Sequence, residues 1–213
     1  MEITILDWIV DRKNLDEAVK KVKDNKGAPG IDKKTVFELD GYFAKHRKEL
    51  IQAIREGTYQ PAPVRRTYIP KADGNLRPLG IPTVVDRVVQ QAIAQVLTDE
   101  YDDDFSENSF GYRPNMDCHL AVAQAIDTLN EGYNWIIDLD IAKFFDTVNH
   151  DKLISVLREK INDKKTLHLI RSFLKAGIME KGLVSPSDLG LPQGGPLSPI
   201  LSNIAIIRKI FKA

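Results

Sequence analysis

The 213-residue chain has one cysteine, Cys118, which excludes an internal disulfide and any zinc site built on cysteine thiolates. A reducing compartment is the simplest expectation. No apolar run approaches the roughly 20 residues that a membrane span needs. The opening residues, MEITILDWIVDRKN, place acids inside a short apolar stretch, where a secretory leader has bases followed by a longer one. Together these absences predict a cytoplasmic protein with no membrane partner. Net charge is missing as well, because 30 Lys and Arg balance 30 Asp and Glu, so total charge gives no argument for a polyanionic partner. Neither an internal repeat nor a low-complexity linker divides the chain. The parts are expected to interleave in one body, whose 43% hydrophobic content suffices for a core.

The distribution of charge differs from its sum. Lys45 to Arg87 holds nine Lys or Arg against four Asp or Glu, while Asp99 to Glu107 holds six acids and no base. Such runs form solvated faces, and a basic one also suits a nucleic-acid surface.

Periodicity predicts helices over Leu15–Asp24, about Tyr42–Arg55, Val84–Leu97, Leu120–Leu129, Asn149–Lys160, Lys165–Leu174 and Leu197–Phe211. Five prolines between Gly57 and Pro82 exclude a helix there. The pieces VRRTYIP and NLRPLGIP around Asp73 and Gly74 predict a β-hairpin. Gly177 to Gly195, with its glycines and prolines around GLPQGGP, reads as loop. Tyr133 to Ile141 is predicted as a strand.

That last segment runs into WIIDLDIAKFFD, where an apolar run delivers Asp140 to a strand end and Phe145 follows five residues later. A carboxylate on a rigid strand suits metal-assisted phosphoryl transfer, which needs no protein nucleophile. An aspartate after an apolar run also caps helices, so Asp140 by itself leaves both roles open. Asp138, two residues earlier, shares its strand face.

Several separated motifs agree on one outcome. NKGAPGID at Asn25–Asp32, GTYQPAPVRRTYIPK at Gly57–Lys71, RPLGIPTVVDRVVQQAI at Arg77–Ile93, FSENSFGYRP at Phe105–Pro114, DLDIAKFFD, and GLPQGGPLSPILSNI at Gly190–Ile204 occur in order. From about Leu15 to Ile204 the chain resembles the reverse transcriptases and maturases encoded by bacterial group II introns. The resemblance implies an α+β fold of right-hand polymerase type, with fingers and a partial palm and a small antiparallel sheet packed on helices. Residues 1–56 become N-terminal extension helices, 57–119 fingers with an interleaved palm-side helix, and 120–213 a partial palm.

The implied activity is RNA-directed DNA polymerisation with two Mg²⁺ ions, using an RNA template, a DNA primer and deoxynucleoside triphosphates (dNTPs). Asp140 becomes the catalytic acid and metal ligand, with the Ile141 carbonyl beside it; Asp138 is left a structural or solvated role. Lys71 and Arg77 are implied to fold over the triphosphate, Phe145 to pack under the sugar and exclude a 2'-hydroxyl, and Gln193 to lie against the nucleotide. Arg65, Arg66 and Arg113 are candidates for contact with template phosphates, and equally for pairing with the acidic stretch. A non-catalytic module that binds intron RNA, as a maturase does, is the alternative.

Family members complete their metal site with a hairpin carrying an aromatic, any residue and two aspartates, after the GLPQGG segment. These 213 residues do not show it there, and the expectation is that they extend no primer alone. An unpaired strand at 133–141 is further expected to favour a homodimer. Tyr101–Asp104, YDDD, matches the hairpin pattern but stands before Asp140 and at a helix end, so it is read as a decoy.

Overall fold

A computed structural model describes residues 3–70 and 74–210, the side chains of 207–210 excepted. Its helices are α1 (Ile5–Ile9), α2 (Arg12–Asp24), α3 (Leu39–Glu56), α4 (Val84–Tyr101), α5 (Cys118–Asn130), α6 (Phe144–Thr147), α7 (His150–Leu157), α8 (Lys164–Leu174) and α9 (Ser198–Ile210). Its strands are β1 (Val64–Pro70), β2 (Leu76–Ile81), β3 (Ile178–Glu180) and β4 (Leu183–Ser185). No described helix is long and apolar enough to cross a membrane.

The axis of the core is α4, whose valines, Ile93 and Leu97 are buried against α1, α2 and α9. Its start is set by Thr83, whose side-chain oxygen accepts from the Asp86 amide at 3.1 Å while its hydroxyl donates to the Asp86 carboxylate at 2.7 Å. Asp86 is itself buried and also accepts from the Tyr59 hydroxyl at 2.7 Å and the Ala62 amide at 3.2 Å. Burial pushes its pKa up, outweighing these three hydrogen bonds to the carboxylate. The network ties the chain between α3 and β1 to the N-terminus of α4, which fixes where the hairpin begins.

The hairpin forms as expected, with β1 and β2 antiparallel from Arg65 opposite Ile81 to Pro70 opposite Leu76. Lys71 and Asp73, expected at its turn, lie outside the described residues. The sheet order is β2-β1-β3-β4, and β1 runs parallel to β3 at Val64–Ile178 and Arg65–Met179. The sheet is therefore mixed, where an antiparallel one was expected. The long passage through α4 to α8 between β1 and β3 permits either direction, which a tight turn would not. The β3–β4 hairpin lies inside the segment read as loop; strands of three residues are too short to show an alternation.

The largest departure lies at Tyr133–Ile141, where no strand forms. Trp135 is 95% exposed and Leu139 88%, and α5 before it buries no residue. The apolar pattern is that of a strand, but among the described residues no strand pairs with it, and the Tyr133 amide donates instead to Thr128 O at 3.4 Å. A strand without a ladder has nothing to stabilise it.

Candidate nucleotide cleft

The Gly190–Gly195 loop sits between the hairpin and the start of α6, held by backbone and side-chain hydrogen bonds. Gly80 N donates to Gln193 O at 2.7 Å, Leu191 N to Phe145 O at 2.6 Å, and Gly190 N to Val148 O at 2.8 Å. A buried imidazole adds a further tie, His150 Nε2 to Gly190 O at 2.7 Å. Gly190 and Gly194 have φ of +87° and +117°, and a Cβ on either would stand 2.7 Å from a carbonyl oxygen, of Phe145 and Gly80 respectively. Glycine is what lets three segments meet.

They meet in a cleft of about 640 Å³ that Arg77, Phe145 and Gln193 all line. Arg77 Nε donates to Gln193 Oε1 at 2.9 Å, so hairpin and loop are also joined by side chains. Phe145 is half-buried, its ring edge-on to Phe144 at 5.8 Å between centroids. Among the described residues, Lys21, Arg77 and Arg87 line this cleft and no acid does. Phe145 and Gln193 also border a smaller cavity of about 220 Å³, lined as well by Arg66 and Asp146.

The remaining expected residues are placed differently. Asp140 and Ile141 are exposed on the unpaired segment and do not line the cleft. Lys71 lies outside the described residues. The Arg65 guanidinium donates to Pro29 O at 3.1 and 2.9 Å. Arg113 spends its donors on Asp102, Ser106 O and Ser109 O, its side chain only 7% exposed. The YDDD segment is a helix end: Tyr101 is buried with its hydroxyl donating to Leu157 O at 3.2 Å, Asp102 holds Arg113, and Asp104 pairs with Lys160 at 2.7 Å. Among the described residues, no three or more His, Cys, Asp or Glu gather where a metal could be held.

Sequence reasoning missed Arg87. It is buried, its Nη2 donates to Ala28 O at 2.8 Å, and its Nε has no partner among the described residues. With Arg65 on Pro29 it holds the NKGAPG loop against the cleft. A signal was present: the charged pair Asp86–Arg87 inside the apolar run of α4, between Val84–Val85 and Val88–Val89.

A family model described as reverse transcriptase (RNA-dependent DNA polymerase) matches residues 69–212. The chain is 37% identical over 208 residues to Protein YkfC of Escherichia coli (strain K12), covering 95% of this chain and 55% of that protein. It is 40% identical over 190 residues to Group II intron-encoded protein LtrA of Lactococcus lactis subsp. cremoris, covering 88% and 31%. It thus spans from about a third to about half the length of these relatives. Among solved structures, it superposes on a chain of a partial Cas6-RT-Cas1--Cas2 complex with a TM-score of 0.65 and 26% identity, over 96% of this chain and 34% of that one.

Proposed function

The chain belongs to the reverse transcriptase (RNA-dependent DNA polymerase) family, and from that premise we propose that its cleft receives the dNTP of an RNA-directed DNA polymerase of group II intron type. One observation carries this: Arg77, Phe145 and Gln193, far apart in sequence, line one cation-rich cleft and two of them are hydrogen-bonded. Residues 57–119 serve as fingers and 120–213 as part of the palm.

The chain's own residues bind and select. Arg77, joined by Lys71 as the resemblance implies, offsets triphosphate charge. The Phe145 ring, braced by Phe144, lies under the sugar, where its bulk rejects a 2'-hydroxyl. Gln193, its side chain held by Arg77 and its carbonyl by Gly80, lies against the nucleotide. Arg66 is assigned to template phosphate, while Arg65 and Arg113 are assigned to holding loops.

The family's chemistry calls for Mg²⁺, a hard cation that takes oxygen ligands. As described, the residues do not fit two such ions, since Asp140 is a lone carboxylate beside the Ile141 carbonyl. Asp140 and Ile141 are proposed as ligands that need further carboxylates to complete a site. A second reading, intron RNA binding of maturase type, is favoured by the cation surplus of the cleft. Self-association through the exposed 133–141 run is proposed as well, because a second copy would cover Trp135, Ile137 and Leu139.

Irradiating the chain with 4-thio-dTTP tests the assignment. The label is expected on peptides carrying Phe145 or Gln193, and labelling confined to Asp99–Glu107 would contradict it.

A further inference from the structure

The peptide between Gly190 and Leu191 is held at both of its polar ends. Its carbonyl accepts from His150 Nε2 at 2.7 Å, and its amide donates to Phe145 O at 2.6 Å. A peptide plane is rigid, so the two groups turn together. One of the torsions that turns it belongs to Gly190, whose φ is +87°, and glycine resists rotation least. With no partner on its carbonyl, the plane would be free to swing the Leu191 amide away from Phe145.

Phe145 depends on that amide. Its helix, α6, is a single turn of four residues entered through Lys143 at φ +50°, too short to stand on its own hydrogen bonds. Phe144 is buried and anchors one side. The bond from Leu191 N reaches the carbonyl of Phe145 itself and so bears on where its ring is aimed.

His150 is placed for this task. It is the first residue of α7, after the capping Asn149, and is 3% exposed. A bridge between Asn149 and Leu189 sets the two stretches side by side. A carbonyl oxygen only accepts, so Nε2 carries a proton. Nδ1 is buried and has no hydrogen-bond partner among the described residues. Burying an unpaired ring nitrogen costs stability, a cost that leucine in the same space would avoid. What the imidazole adds is a donor at Gly190 O. His150 lines neither of the two cavities that Phe145 borders, so it acts through the peptide it holds.

We propose that His150 is a positioning residue for sugar selection: by fixing the Gly190–Leu191 peptide it fixes Phe145, and with it the preference for a deoxyribose. The proposal rests on the cleft being the dNTP site with Phe145 under the sugar.

Side-chain reach supplies the test. In His150→Gln the amide nitrogen stands as many bonds from Cβ as Nε2 does and can still donate to Gly190 O. In His150→Asn it is one bond short, and His150→Leu fills the space without a donor. Titration of dATP and ATP against the original chain and each variant is run beside denaturant unfolding, at a temperature where circular dichroism shows all four folded. The Asn and Leu variants are expected to lose about 2- to 12-fold of the preference for dATP over ATP, the range that one net hydrogen bond spans. The Gln variant should keep it within about twofold, whatever its stability. A preference that follows stability across the variants, or that survives in Asn and Leu, overturns the proposal and leaves the nucleotide cleft standing. Absence of any dATP preference in the original chain removes both. Nitrogen-15 NMR of the histidine rings needs no variant: the His150 proton is expected on Nε2, and a ring protonated only on Nδ1 would contradict the tie.

Discussion

Gly194→Ala is expected to detach the Gln193 loop from the hairpin, lowering dNTP affinity at least about tenfold, which corresponds to about 1.4 kcal/mol. The new Cβ would sit 2.7 Å from Gly80 O and 3.5 Å from its carbon, and both belong to backbone. Neither can swing aside as a flexible side chain would. Relief must come from moving the strand or the loop, and either motion stretches the 2.7 Å bond from Gly80 N to Gln193 O. The left-handed φ of +117° adds the penalty that any L side chain meets there. Summed, about 2–4 kcal/mol of stability should be lost in denaturant unfolding. Gly182→Ala is the control. Gly182 has φ of +83° with open space where its Cβ would stand, so it should cost about 1–2 kcal/mol and leave dNTP binding unchanged. Equal binding by Gly194→Ala and the original chain would show that the loop's docking has nothing to do with the cleft.

Arg77→Ala is expected to weaken dNTP binding about 10- to 150-fold, the equivalent of one or two lost charge-assisted hydrogen bonds. Two effects combine. The cleft loses one of the three cations that line it among the described residues, and Gln193 loses the donor that fixes its side chain. Arg77 is exposed at the start of β2, so unfolding stability should shift by no more than about 0.5 kcal/mol. Arg77→Lys separates the two effects, because the ammonium keeps the charge but lacks the planar fork. It should recover part of the affinity for the triphosphate and little of the orientation of Gln193. Isothermal titration with dATP, beside denaturant unfolding of each variant, distinguishes these outcomes.

Elements with strong local patterns were legible in the sequence. The hairpin showed through Val64–Pro70 and Leu76–Ile81 because β-branched and aromatic residues flank a Gly turn and prolines forbid a helix. Helix α4 showed because its valines recur at three and four. Tyr133–Ile141 failed for the opposite reason: alternation describes what a segment would bury, and ladder formation depends on a partner that the pattern cannot supply. Phe145, Gln193 and Arg77 were named from motif resemblance, and the fold brings them to one cleft. Arg87 was not, because it is a cation inside a core helix. Arg65 and Arg113 looked like free cations in sequence and are occupied by Pro29 and by Asp102, Ser106 and Ser109.

The central claim is that Phe145 and its neighbours hold a deoxynucleotide. Titrating dATP and ATP against the chain and against Phe145→Ala measures this most directly. The prediction is saturable binding with dATP preferred over ATP, and a preference that collapses in Phe145→Ala because ATP gains affinity once the ring is gone. Binding that ignores the 2'-hydroxyl in the original chain, or a preference that survives loss of the ring, would contradict it.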